Sequence, residues 1–240
     1  VAEPLSPQMA RMRAAWSTKP VLRQLYREQF FAPLRDLRSP LQPTVELGAG
    51  LGFLREEDPS VISTDLVRLP GLSLAADSQR LPFRSGSVGN VIGLDVLHHF
   101  ADPVAALREI ARVLQPGGRC VLVEPWITPL AYVIYRWFHS EDCDLSLQLP
   151  LGPKEPLEGN AAIPYLCFGP QARARAVTGL RTVELAPFCS LTYLLSLGFA
   201  RSSLLPAALY RPLYALERAT LPLWRRLFAL RALIVLEKER

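Results

Sequence analysis

The chain has 240 residues, half of them apolar and one fifth charged, with 14 Gly and 22 Pro. That suits one globular core with many punctuated loops, and it excludes a disordered charged tail and a collagen-like repeat. The net charge of +5 is uneven, at +4 over residues 1–43, −6 over 44–170 and +7 over 171–240. The first forty residues read as helix, because Trp16, Val21, Leu22, Leu25, Phe30 and Phe31 recur at near-helical spacing before Pro40 and Pro43. From Thr44 the period changes to short β-rich runs at 44–47, 61–63, 72–74, 91–94 and 120–123. One helix separates the last two runs: Asp102 is its N-cap, Pro103 its first residue, Val104, Leu107, Ala111 and Leu114 its apolar face, and Pro116-Gly117-Gly118 its stop. An aromatic, Pro-rich stretch runs from Trp126 to Gly169. Further strands follow at 180–185 and 232–236, with apolar helices between them.

Apolar strands alternating with helices predict a doubly wound, mostly parallel α/β sheet. The expected organisation is a single domain over 1–240: a helical lid at 1–43, a core at 44–125, an inserted substrate cap at 126–179, and strands with cap helices at 180–240. Cys120, Cys143, Cys167 and Cys189 form no C-x-x-C pair and lack histidines at zinc-box spacing, so reduced thiols of a cytoplasmic protein are expected. The longest uncharged stretch, 185–200, is 16 residues long and interrupted by Pro, Ser, Thr and Gly, short of the roughly 20 apolar residues of a spanning helix.

The most specific feature is the first strand and its turn, Val45-Glu46-Leu47-Gly48-Ala49-Gly50-Leu51-Gly52. Glycines at alternating positions after a buried strand let the backbone approach a ligand at the carboxyl end of the sheet. The spacing is G-x-G-x-G rather than the G-x-G-x-x-G of dinucleotide sites, and no G-K-[ST] follows, which disfavours a nicotinamide oxidoreductase and a phosphate loop. Asp65 ends the second strand 19 residues after Glu46, where a carboxylate can accept both hydroxyls of a ribose. Asp77 follows the third run, just ahead of the apolar Leu81-Pro82-Phe83.

With VELGAGLG, VISTD, AADSQRLPF, NVIGLDVLHH and LQPGGR in this order, residues 44–125 resemble the class I S-adenosylmethionine-dependent methyltransferases, closest to the group that includes the ubiquinone and menaquinone biosynthesis enzymes. The resemblance implies a seven-stranded sheet with an antiparallel last strand, and S-adenosylmethionine as cofactor. It implies further that Gly48, Ala49, Gly50 and Gly52 wrap the methionine part with Glu46 close behind. On the same basis Asp65 with Leu66 holds the ribose, Asp77 with Ser78 the adenine, and Leu94 with Asp95 borders the sulfonium. Only eight residues, 53–60, separate the loop from the second strand, so the first helix must be short, and 66–71 leave almost no room for a second.

Methyl transfer needs alignment, and a base only where the acceptor carries a proton to remove. The candidate bases are His98 and His99, directly after the fourth strand, and His139, with Glu141 two residues on to orient it. The site after the fourth strand reads Leu94-Asp95-Val96-Leu97, not [DN]-P-P-[YFW], so nucleic-acid amino groups are discounted. No carboxylates stand at metal spacing near His98-His99, so no metal is expected. Trp126, Tyr132, Tyr135, Trp137, Phe138, Tyr165 and Phe168 are expected to line a pocket for a small hydrophobic or lipid-like acceptor, methylated at oxygen or carbon. Arg23 or Tyr26 in the lid would reach the cofactor carboxylate. The basic C-terminal helices suit peripheral contact with an anionic membrane, and no nucleic-acid partner is expected. The rival reading is a catalytically inactive methyltransferase-like binding or scaffold protein.

Overall fold

The computed structural model describes residues 5–139, 141–148, 158–170 and 179–239. The sequence 126–179, expected as an inserted cap, is therefore covered only in part, with 140, 149–157 and 171–178 outside the described residues. Helix comes first: α1 (Pro7–Thr18), α2 (Pro20–Leu25), a π-helical turn (Tyr26–Phe31) and α3 (Ala32–Asp36). Strand β1 (Thr44–Leu47) follows, then α4 (Phe53–Glu57), β2 (Ile62–Asp65), β3 (Leu74–Ala75) and β4 (Val88–Leu94). A 3-10 turn at Leu97–His99, α5 (Pro103–Val113) and β5 (Leu114–Pro125) complete the core. Beyond it lie α6 (Pro129–Trp137), α7 (Ile163–Phe168), β6 (Leu180–Phe188), α8 (Leu191–Ser196), α9 (Ala207–Phe228) and β7 (Arg231–Lys238).

The seven strands form one sheet in the order β3-β2-β1-β4-β5-β7-β6. The first five are parallel, and β7 runs antiparallel between β5 and β6. As the chain spacing predicts, α4 has five residues and no helix separates β2 from β3. The expected helix stop at Pro116-Gly117-Gly118 lies instead inside β5. There Gly117 takes φ +76° and the pairing with β4 slips, so these residues form an irregularity in a strand that begins directly after α5. Helix α5 starts as expected, its Asp102 side chain accepting the Ala105 N–H at 2.9 Å.

Alternation along the central strands sorts the core into two layers. Val91, Leu122 and Ile234 face α5 and α7, packing with Leu107, Ile110 and Cys167. Their neighbours Ile92, Val121 and Val235 face the opposite layer, built from the N-terminal helices together with Phe53, Leu205 and Tyr210. The N-terminal segment, expected as a lid, is thus a core layer: Leu22, Leu25, Phe30 and Leu34 are wholly buried. All four cysteines are buried and free. Among the described residues no helix is long and apolar enough to cross a membrane.

Phe30 meets Tyr26, Phe188 and Tyr193 edge-on, at centroid distances of 4.8, 6.2 and 5.8 Å. Replacing it leaves a cavity between the N-terminal helices and the sheet. Phe30→Ala is expected to lower unfolding stability by about 3–5 kcal/mol in denaturant titration. A loss below about 1 kcal/mol would mean the segment is a detachable flap after all.

Candidate active site

The glycine loop turns away from β1 on left-handed backbone. Gly48 sits at φ +60°, and a Cβ there would stand 2.4 Å from Cγ2 of Val96, so both space and conformation require glycine. Gly50, at φ +51°, faces open space, with nothing within 4 Å of where a Cβ would be. Its N–H donates to Oδ2 of Asp65 at 2.8 Å, while the Ala49 N–H donates to the Thr64 carbonyl at 2.9 Å. The other Asp65 oxygen accepts the Val67 N–H at 3.2 Å, and Gly52 closes the turn by donating to the Ala49 carbonyl at 2.8 Å. Asp65 is therefore oriented by the same backbone it would serve beside, with Leu66 half-exposed just beyond it. Asp77 and Ser78 occupy the turn after β3, where Asp77 is exposed and accepts the Gln79 N–H at 2.8 Å.

Glu46 lies behind the loop, 5 % exposed, and its Oε2 accepts no hydrogen bond among the described residues. Burial, reinforced by the charge of Asp65, lifts its carboxyl to about 8. A buried acceptor without a donor, beside an open glycine and an oriented aspartate, fits a cationic ligand with ribose hydroxyls, as S-adenosylmethionine is.

Asp95, expected at the sulfonium border, has a different engagement. It follows β4 with φ +55°, donates its N–H to the Val123 carbonyl at 2.9 Å, and pairs its carboxylate with Arg231. Burial lifts the Asp95 carboxyl above its ordinary value although Arg231 pulls it down. Arg231 opens β7, is 4 % exposed, donates to the Tyr193 hydroxyl at 2.7 Å and lies over that ring at 4.9 Å. Arg231, expected among the basic residues of the membrane-facing C-terminal helices, is instead buried here, and sequence reasoning missed its partner Tyr193; the only signal was an arginine heading the apolar run 232–236. Leu94, half-buried, packs against the layer of the N-terminal helices. Arg23 does not reach toward a ligand but donates to the Trp16 and Ser17 carbonyls at 2.5 and 2.7 Å, closing α1. Tyr26 is buried among Trp16, Phe30, Phe31 and Phe199.

The three histidines, 41 positions apart at the extremes, converge on one carboxylate. Glu141 lies 3.2 Å from His98 Nε2, 3.8 Å from His99 Nε2 and 3.9 Å from His139 Nδ1. His98 is 2 % exposed, and its Nδ1 meets Oε2 of the fully buried Glu124 at 2.8 Å. The other oxygen of Glu124 accepts the N–H groups of Val96 and Leu97 at 2.9 and 2.8 Å. Burial opposes a charge on His98, but the hydrogen bonds to Glu124 and Glu141 outweigh it and raise the imidazole to about 9. Burial likewise opposes the charge of Glu141, yet the three histidines bring it down to about 2. His98, a candidate base on sequence grounds, thus has both ring nitrogens occupied by carboxylates. His139 is held below its ordinary value by burial, against the pull of Glu141, and its Nδ1 accepts the Glu141 N–H at 3.3 Å. The sequence places no carboxylates at metal spacing near His98-His99, yet Glu124 and Glu141 arrive there through space from β5 and from the segment after α6.

The aromatic residues after β5 do not share one pocket. Trp126 and Tyr135 are buried, Tyr165 packs on Trp126 at 5.1 Å, and Trp137 and Phe138 are 68 % and 81 % exposed. A cleft of about 240 Å³ opens elsewhere, between the end of β6 and α9, lined by Phe188, Cys189, Tyr214, Arg218, Leu221 and Arg225.

Residues 47–122 match the family described as methyltransferase domain. A mouse tRNA carboxymethyluridine methyltransferase is 43 % identical over 53 residues, 21 % of this chain and 8 % of its own length. The demethylmenaquinone methyltransferase of Beutenbergia cavernae is 34 % identical over 105 residues, 36 % of this chain and 44 % of its own length. The chain thus spans less than half the length of these curated relatives. Among solved structures, the [4+2]-cyclase SpnF superposes with a TM-score of 0.52 at 16 % identity, covering 99 % of this chain and 98 % of its own, a likeness of fold.

The site generates two predictions. The unfolded chain releases the Glu46 proton near the ordinary 4.5, whereas the folded chain keeps it to about 8. The stability of the ligand-free protein should therefore fall as pH rises across that interval and level off above it. Thermal melts of Glu46→Gln should lose that component of the slope; an identical pH profile in variant and parent would contradict it. Asp95→Asn leaves the buried Arg231 without its anion and is expected to cost about 3–5 kcal/mol, with partial recovery when Arg231→Met is added. Additive losses in denaturant titration of the pair would show that the two do not interact.

Proposed function

We propose that the chain is a class I S-adenosylmethionine-dependent methyltransferase, which the match of residues 47–122 to the methyltransferase domain supports, and that it methylates oxygen or carbon of a small hydrophobic or lipid-like metabolite. The observation that carries the catalytic reading is the preformed glycine loop, with Gly50 open, Asp65 oriented at its side and the Glu46 oxygen bare behind it. The cofactor supplies an electrophilic methyl group on a sulfonium. The work of the chain is then to hold donor and acceptor in line and to keep water away. Gly48 and Gly50 let the backbone come close, Asp65 offers acceptors to ribose hydroxyls, and Glu46 faces positive charge. Asp95 and Arg231 brace the rim of the same edge rather than act on the acceptor.

An apolar acceptor is supported by the outer face of α9. Leu209, Leu216, Leu223, Trp224 and Leu227 are exposed there among Arg211, Arg218, Arg225 and Arg226. The one acid of the helix, Glu217, turns inward and accepts the Ser190 and Thr192 N–H groups, each at 2.7 Å. An outward face of apolar and arginine side chains that carries no exposed acid suits an anionic membrane surface, from which a lipid-soluble acceptor would be drawn. The Beutenbergia relative, named for demethylmenaquinone, agrees with that class.

The test is incubation of the full chain with methyl-labelled S-adenosylmethionine and a cell extract, followed by mass spectrometry of the solvent-extractable metabolites. A labelled apolar product is expected, falling about tenfold or more in Asp65→Ala. Label confined to RNA would replace the acceptor class. Absence of any labelled product would favour the inactive binding protein.

A further inference from the structure

We propose that His98, His99 and Glu141 form a divalent transition-metal site at the carboxyl edge of the sheet. The two imidazole Nε2 atoms and a Glu141 oxygen lie within 4.8 Å of one another, and each imidazole stands 3.2 or 3.8 Å from that carboxylate. Ligand atoms around a tetrahedral ion with bonds of about 2.0–2.2 Å are separated by roughly 3.3–3.6 Å, so small movements bring the three into a coordination sphere. Two imidazoles with one carboxylate suit zinc, iron, cobalt or manganese rather than calcium or magnesium, which favour oxygen.

The surroundings are those of a supported ligand set. Glu124 takes the Nδ1 of His98 at 2.8 Å, aiming its Nε2 at Glu141, as a carboxylate behind a metal-bound histidine does. Glu124 itself is excluded from ligation because its other oxygen already accepts two backbone N–H groups. Asp95 is committed to Arg231. Gly159 makes the packing possible: a Cβ there would stand 2.8 Å from Glu141 Oε2 and 2.9 Å from His99 Cε1. Next to it, the Asn160 N–H donates to the His98 carbonyl at 2.9 Å, and a bridge between Asp142 and Asn160 holds the Glu141 segment in place. His139 flanks the set through Glu141 without joining it.

Three protein ligands leave a position open, as catalytic sites do. Val96 packs on Gly48 and shares Glu124 with His98, so the metal site and the glycine loop lie on one edge of the sheet. The acceptor class that fits is a hydroxylated compound whose oxygen binds the ion and loses its proton more readily there. That assignment of the acceptor rests on the methyl-transfer reading, whereas the metal site does not.

The experiment is titration of the chelator-treated chain with Co²⁺ alone, read by visible absorption and by metal content after dialysis. One Co²⁺ per chain is expected, with the bands of four- or five-coordinate cobalt. His99→Gln and Glu141→Gln should each weaken binding by roughly tenfold or more, and Glu124→Gln by about 10–100-fold, while His139→Ala leaves it unchanged. His99 is partly exposed, so its variant should keep the parent's circular dichroism. No stoichiometric uptake by the folded parent, or equal affinity in His99→Gln and Glu141→Gln, would overturn the site. Neither result touches cofactor binding, which is measured separately.

Discussion

The rim of the sheet depends on one buried carboxylate. Glu124 is fully buried, and a carboxylate removed from water has to be met by donors. Its donors are the Val96 and Leu97 N–H groups and the His98 ring, so it fixes the turn that follows β4. From that turn the rest follows. Val96 is pressed against the first glycine of the loop after β1, which explains why position 48 admits no side chain. His98 and His99 are brought to face Glu141, which carries the segment after α6 onto the sheet edge.

A second ion pair, with Arg231 buried and Asp95 partly so, joins the two halves of the sheet. Asp95 follows β4 of the parallel part and Arg231 begins the antiparallel β7, with Tyr193 taking another guanidinium N–H. The register places Arg231 between Pro125 of β5 and Phe188 of β6, so one ion pair ties three strands and α8 to the same rim. The two faces of the sheet are closed differently. One is covered by the crossover helix α5 and by α7. The other is covered by N-terminal helices that arrive before the first strand, which compensates for the short α4 and the missing helix between β2 and β3.

Much of this was legible in the chain because it is local. A buried strand, a turn that needs left-handed backbone and an acid at the next strand's end are each set within a few residues, and together they located Gly48, Gly50 and Asp65. The Pro116-Gly117-Gly118 run misled because turn residues punctuate strands as well as helices, and only pairing with β4 decides between the two. Contacts through space left no local trace. Asp95 and Arg231 are 136 positions apart, and Glu124 reaches His98 across 26. The aromatic run from Trp126 to Phe168 looked like one pocket because composition carries no direction; the fold buries Trp126 and Tyr135 and turns Trp137 and Phe138 outward.

The central claim is that the glycine loop with Asp65 binds S-adenosylmethionine. Equilibrium dialysis of the labelled cofactor against the full chain and against Asp65→Ala measures it directly. The structure predicts one cofactor per chain, with affinity lowered about tenfold or more in the variant. A folded parent that does not bind, or a variant that binds as tightly as the parent, would contradict the account.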